Sequence, residues 1–233
     1  MRTPATTPAK RPTRRAPAAR AALLALAAAL IAAAVAAGAP GPAQAAGYKL
    51  FGTNEIQSKT LDKFTKWTEL LTRYDGEAPN ELNVCQPTAA EKCHIARWRI
   101  FLKQIAALPP MEQLQRVNQY VNDWLYVLDP VNYNQKDYWA TPREFMYRNG
   151  DCEDYAFAKY VSLVHLGFPK EQMRLVVLQD LNLQIPHAVL VVYVEGVGWL
   201  LDNQIGQVIE ANRVQHYKPI FSINEQAWWL HRG

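Results

Sequence analysis

Cys152 follows the turn dipeptide Asn149-Gly150 and then Asp151, a residue type that caps helices by accepting from first-turn amides. The run Cys-Glu-Asp-Tyr-Ala-Phe-Ala-Lys-Tyr that begins there suits a helix, which places the sulfur at the positive helix end among amides without intrahelical acceptors. That position favours thiolate over thiol, and the same amides can stabilise an oxyanion formed when the sulfur attacks a carbonyl. A cysteine taken at random is more often a packed core residue. Here acidic neighbours make the position partly polar, and two partners lie downstream: His187 in Pro-His-Ala-Val and Asp202 in Trp-Leu-Leu-Asp-Asn. The three supply a nucleophile, a base for its proton and a carboxylate to orient that base, the requirements of acyl transfer.

Asp151, Glu153 and Asp154 surround this sulfur with carboxylates, which disfavour a thiolate unless something neutralises them. One reading is local: Asp151 caps the helix, and Glu153 and Asp154 complement its dipole. The other is a hard cation such as Ca²⁺, which takes oxygen ligands in irregular loops, with Asn132, Asn134 and Asp137 as further donors. The residues alone favour the first reading, and no EF-hand loop is present.

Positioning falls to the rest of the chain. Apolar residues recur at three and four positions over 58–74 (Leu61, Phe64, Trp67, Leu70, Leu71), 91–108 and 111–127, predicting three amphipathic helices whose aromatic stripes are core. A polar loop at 129–137 precedes Thr141-Pro142-Arg143-Glu144, a capping box with Pro at the first helical position. The cysteine helix then runs to about 166, and Gly167 and Pro169 stop it. Beyond it the period changes to two, predicting antiparallel strands over 173–180, 188–195 and 199–203, with a short fourth at 208–211. Helices followed by sheet make an α+β domain.

Residues 187, 189, 191 and 193 share one strand face. If the hairpin loop is centred between Glu195 and Gly196, Asp202 falls opposite Val189, one diagonal step from His187 and within side-chain reach. A loop one residue longer puts Asp202 on the wrong face. His94, His165, His216 and His231 are competing imidazoles, but none is followed by an Asp in such a hairpin. The Cys152 amide is one oxyanion donor, and the Trp139 indole is a candidate second.

Residues 1–20 hold six basic and no acidic residues, 21–38 are apolar, and Ala43-Gln44-Ala45 is a small-residue exit. This is the pattern of a secretory signal peptide over 1–45, leaving 46–233 as one domain. The formal charge of +4 belongs to that leader: the remainder carries 19 Lys and Arg against 21 Asp and Glu, which argues against nucleic-acid binding. Export makes a local disulfide between Cys85 and Cys93 reasonable, leaving Cys152 as the odd thiol; a zinc site lacks a second ligand pair.

Gly-Asp-Cys-Glu-Asp-Tyr-Ala, then His-Ala-Val-Leu-Val-Val-Tyr, then Gly-Trp-Leu-Leu-Asp-Asn resembles, in that order, the transglutaminase-like cysteine proteinases of bacteria, of the periplasmic LapG kind. The resemblance spans roughly 48–230. It implies a papain-like fold with a helical N-terminal part and the cysteine helix packed on an antiparallel sheet, and a triad of Cys152, His187 and Asp202. It further implies calcium dependence with acidic ligands beside the cysteine, here Asp151 and Glu153, with Asp154 and Asn132 as further candidates. The implied substrate is the periplasm-facing N-terminal region of a large surface adhesin, cut at a small-residue Ala-Ala site to release it and disperse a biofilm. The implied partner is an inner-membrane receptor of the LapD kind that senses cyclic di-GMP and sequesters the protease. Two other classes share these residues: a transglutaminase or cell-wall amide hydrolase, and a calcium-regulated binding module with a vestigial triad.

Overall fold

The computed structural model describes residues 48–79, 85–88 and 92–233; the leader expected over 1–45 lies outside the described residues. In chain order they form β1 (Asn54–Ser58), α1 (Thr65–Glu77), α2 (His94–Ile105), α3 (Pro110–Asn122), α4 (Asp129–Asn132), α5 (Pro142–Arg148) and α6 (Cys152–His165). The strands β2 (Met173–Asp180), β3 (Ile185–Val194), β4 (Val197–Leu201), β5 (Ile209–Glu210), β6 (Tyr217–Ile223) and β7 (Trp228–Arg232) follow. All pairings are antiparallel, in the order β1-β7-β6-β2-β3-β4-β5. The domain is α+β, as the change of period predicts.

Helix α6 is the centre of the core. It is buried from Asp154 through Leu163 because its face carries Ala156, Phe157, Tyr160 and Leu163 in an almost unbroken apolar run. One side packs on β3 and β2, and α3 and α5 cover the other. The aromatic stripes of the earlier helices close around it. Trp67 of α1 meets Phe157 at 5.7 Å and Tyr160 at 6.1 Å between ring centroids. Trp98 of α2, fully buried, satisfies its indole N–H by donating to Ser162 Oγ at 2.9 Å, as a buried polar group must.

Two departures from the sequence reading bear on the site. The helix expected to reach 127 stops at Asn122, because Leu125 N donates to Asn149 Oδ1 and Val127 N to Gly150 O, drawing 125–127 towards the cysteine turn. The loop expected at 129–137 contains α4.

Strands β1, β6 and β7 are longer-range additions. Pro219 would argue against a central strand, but it sits where β6 slips register against Val177 and Leu178. Buried Arg174 anchors β1, pairing with Glu55 at 2.7 Å and lying 3.6 Å above the Trp229 ring. Cys85 and Cys93 are disulfide-bonded, with Cα atoms 5.7 Å apart, and Cys152 is free. Among the described residues no helix is long and apolar enough to cross a membrane.

Candidate active site

The cysteine is placed by two successive caps. Thr141 Oγ1 accepts from Glu144 N at 3.2 Å while Glu144 Oε2 accepts from Thr141 N at 2.8 Å, the full capping box expected for α5. Arg73 of α1 ties this segment down by donating to Tyr138 Oη, Glu144 Oε2 and the Trp139 carbonyl. Asn149 then takes φ 67° and ψ −170°, a strained backbone conformation outside the αL well. At Gly150 a Cβ would stand 2.1 Å from Asp154 Oδ2, so any side chain there would dislodge that carboxylate. Asp154 is buried and committed: Oδ2 accepts from Asp151 N at 3.1 Å and Oδ1 from Ala140 N at 2.6 Å. These bonds join the turn, the start of α6 and the segment before α5.

His187 and Asp202 meet as the hairpin arithmetic requires. Glu195 and Gly196 both have positive φ, 51° and 81°, the signature of a two-residue turn that matches strand twist. Val194 pairs with Val197 and Leu190 with Leu201, so Asp202, just past β4, comes level with Val189. His187 Nε2 lies 2.9 Å from Asp202 Oδ1, with both residues buried. That bond occupies Nε2 and leaves Nδ1, which Gln204 Nε2 approaches, as the ring's second nitrogen. Helix α6 packs on β3 here, and the Ala188 amide, next to His187, acts to lower the Cys152 thiol pKa. Burial pushes the Asp202 carboxyl up, but donors from His187, Tyr217 and Gln204 outweigh it and hold it below the usual carboxylate range.

Around the sulfur the electrostatics run the other way. Burial, then the charges of Glu153 and Asp151, push the Cys152 thiol well above its ordinary value, and Cys152 Sγ donates to Glu153 Oε2 at 3.1 Å. Glu153 is itself raised, by burial and then by Asp151 and Asp154. Asp129 joins this group, pushed by burial to about 6. Burial and then the carboxylates therefore oppose the advantage of the helix end.

The residues present fit a cation. Ligand atoms of Asp129, Asp137 and Glu153 lie within 4.8 Å of one another, as do those of Asp129, Asp151 and Asp154. Asp129 Oδ1 and Asp151 Oδ1 are buried without a hydrogen-bond donor, an arrangement that costs free energy unless a positive charge faces it. Lys66 pairs with Asp137 at the exposed rim. Asp151 and Glu153 stand where the sequence puts them. Asp154 is spent on backbone amides, and Asn132 turns its Nδ2 to the Asn149 carbonyl at 3.0 Å. Asp129 escaped the sequence reading because its approach to Asp151 depends on how α4 packs.

The candidate oxyanion donor Trp139 is corrected: its Nε1 donates to Asp137 Oδ1 at 3.0 Å. Gln204 was also missed, and its Nε2 stands 3.4 Å from His187 Nδ1. The other histidines have different work, His231 for example joining Thr53 and Ser222 at 2.8 and 2.9 Å.

Lys159, two helical turns beyond Cys152, is fully buried with no hydrogen-bond partner for Nζ. Burial lowers its amine to about 7, with the Asp202 charge opposing. Between this value and the ordinary lysine range the unfolded chain binds the extra proton, so stability rises with pH through that window and is lost as pH falls through about 7. Lys159→Met is expected to remove this slope, roughly 1 kcal/mol per pH unit, in urea unfolding compared between about pH 7 and pH 9.

A cysteine opening a helix against an antiparallel sheet, beside a His–Asp pair from adjoining strands, defines the papain-like, transglutaminase-like class of α+β proteins. Residues 80–231 match the family described as bacterial transglutaminase-like cysteine proteinases, and the chain belongs to that family. It is similar to LapG of Legionella pneumophila in its calcium-bound form, at 28% identity and TM-score 0.57, covering 70% of this chain and 86% of that one. The EGTA-treated form of the same protein gives 28% identity and TM-score 0.57, covering 71% and 86%. No curated protein matches the chain.

Proposed function

We propose that this chain is a calcium-dependent cysteine endopeptidase of the periplasm that cuts the N-terminal region of a large surface adhesin, releasing it and dispersing a biofilm. The observation that carries the chemistry is the free sulfur at the start of α6, a helix packed on the strand that holds His187 of the buried His187–Asp202 pair. Cys152 Sγ attacks the scissile carbonyl carbon, forming a C–S bond, and His187 Nδ1 takes the thiol proton. Asp202 holds the ring through Nε2 and stabilises its charged form. The first amides of α6 donate to the developing oxyanion. As the tetrahedral intermediate collapses, the C–N bond breaks and His187 returns its proton to the leaving amine. Water, deprotonated by His187, then hydrolyses the thioester.

Asp129, Asp137, Asp151 and Glu153 would hold Ca²⁺, with Asp154 and Asn132 fixing the backbone around them. When bound, Ca²⁺ supplies positive charge that opposes these carboxylates beside the sulfur. Support for calcium comes from the donorless oxygens of Asp129 and Asp151 and from the calcium-bound LapG relative. Exposed Leu125, Tyr126 and Leu128, drawn to Gly150 by the Val127 bond, offer an extended peptide an apolar wall near Cys152. The adhesin and a restraining receptor of the LapD kind follow from family resemblance, while the leader over 1–45, read from its basic, apolar and Ala-Gln-Ala pattern, supports the periplasmic location.

The test is cleavage of an adhesin N-terminal fragment by residues 46–233, with EGTA, with Ca²⁺ restored, and with a labelled amine. Expected is cleavage that EGTA abolishes and Ca²⁺ restores. Full activity in a verified metal-free sample would reject the calcium reading. Amine incorporation into a glutamine peptide without cleavage would replace the endopeptidase with a transglutaminase.

A further inference from the structure

The Asp202 carboxylate is held on both oxygens, which a two-residue His–Asp contact does not require. Oδ1 accepts from Gln204 N at 2.9 Å and faces His187 Nε2 at 2.9 Å. Oδ2 accepts from the Tyr217 hydroxyl at 2.6 Å. Tyr217 opens β6, on the far side of β2 from β3, so this donor comes from a third strand unrelated to the hairpin that joins His187 to Asp202. The residue is buried at 4% exposure, and its ring centroid lies 5.7 Å from that of His187. Tyr217 O–H thus points at the one carboxylate oxygen that the hairpin leaves unheld.

A carboxylate turns readily about its last bond, and the two partners on Oδ1 leave Oδ2 without a donor of its own. Asp202 also lies past the end of β4, where no ladder bond fixes its own peptide; Asn122 Nδ2 donates to its carbonyl at 2.8 Å instead. We infer that Tyr217 is the positioning residue of the catalytic pair: its hydroxyl locks the Asp202 carboxylate so that Oδ1 faces His187, which keeps Nδ1 aimed at Cys152. The ring, packed beside the imidazole, keeps water from competing for the same carboxylate. Tyr217 touches neither substrate nor sulfur in this role and acts through Asp202 alone. Burial, and then the Asp202 bond, push its phenol above the ordinary range, so it stays a donor throughout the pH range of activity.

This inference rests on the triad proposed above, and it is tested by a reaction that needs no peptide. Cys152 is the one thiol outside the disulfide, so its alkylation by iodoacetamide at neutral pH in excess Ca²⁺ is read by intact mass. Tyr217→Phe removes one oxygen atom and keeps the ring; melting curves verify folding, and rates are taken well below the melting temperature of the least stable variant. Expected is slowing by on the order of tenfold, the usual size of a hydrogen bond to a charged acceptor. Asp202→Asn is expected to slow alkylation at least as much, and adding Tyr217→Phe to it is expected to change the rate by less than about twofold, because the two act as one unit.

A wild-type rate in Tyr217→Phe, or the same loss in both backgrounds, would overturn the inference while leaving the triad standing. A wild-type chain that alkylates with this pattern but cleaves no peptide would reject the endopeptidase and uphold the role of Tyr217. An unchanged rate in Asp202→Asn would sink both.

Discussion

Cys152→Ala is expected to abolish peptide cleavage, by on the order of 10⁶ in kcat as for loss of the nucleophile in other triads, while the fold is kept. The second half of that expectation comes from what the sulfur touches. It is half-buried, and it donates to the Glu153 carboxylate, a bond that does not hold α6 in place. The start of that helix is set by Asp154, Gly150 and Ala140. Losing the thiol leaves a methyl at the edge of the core, where Cys152 is only one of many partly buried residues packed against it. Cleavage assays with far-ultraviolet circular dichroism check both halves, and cleavage at even a thousandth of the wild-type rate in a clean preparation would place the nucleophile elsewhere.

Asp202→Asn is the second large effect, a loss of roughly 10³ to 10⁴ in kcat with KM little changed. Asparagine has nearly the same shape but a single oxygen, so only one of the Tyr217 and Gln204 donors, which bond different carboxylate oxygens, keeps its acceptor. It cannot carry the negative charge that balances a protonated His187, and its amide can turn an N–H towards Nε2 and impose the wrong tautomer. The loss therefore belongs to the chemical step. Near-normal kcat would mean that the His187–Asp202 contact is structural only.

How much of this was legible in the residues depends on the range of the interaction. The cap at Thr141, the start of α6 and the register of the 195–196 hairpin are local. Each is set by residue types within a few positions, and each stands as read. The disulfide also joins near neighbours. What escaped reading was brought by the tertiary fold. Tyr217 reaches Asp202 from β6, whose Pro219 disguises a strand, and β1 is a strand only because β7 and Arg174 receive it.

Asp129 became visible only once α4 packed beside the cysteine turn, and Trp139, whose indole has a free choice of acceptors in sequence, turns to Asp137. The thiol shows both sides of the problem. A helix end favours the thiolate, whereas burial and then the nearby carboxylates oppose it, and only the geometry shows how deeply the sulfur is placed among them.

The most direct measurement is trapping of the covalent intermediate: wild-type chain, loaded with Ca²⁺, is acid-quenched during turnover of an activated ester or a slow peptide substrate and mapped by peptide mass spectrometry. Expected is one added acyl group on the peptide containing Cys152, absent from Cys152→Ala and accumulating more slowly in Asp202→Asn. An acyl group on any other residue, or product released through a full turnover with Cys152 never modified, would contradict attack by this sulfur.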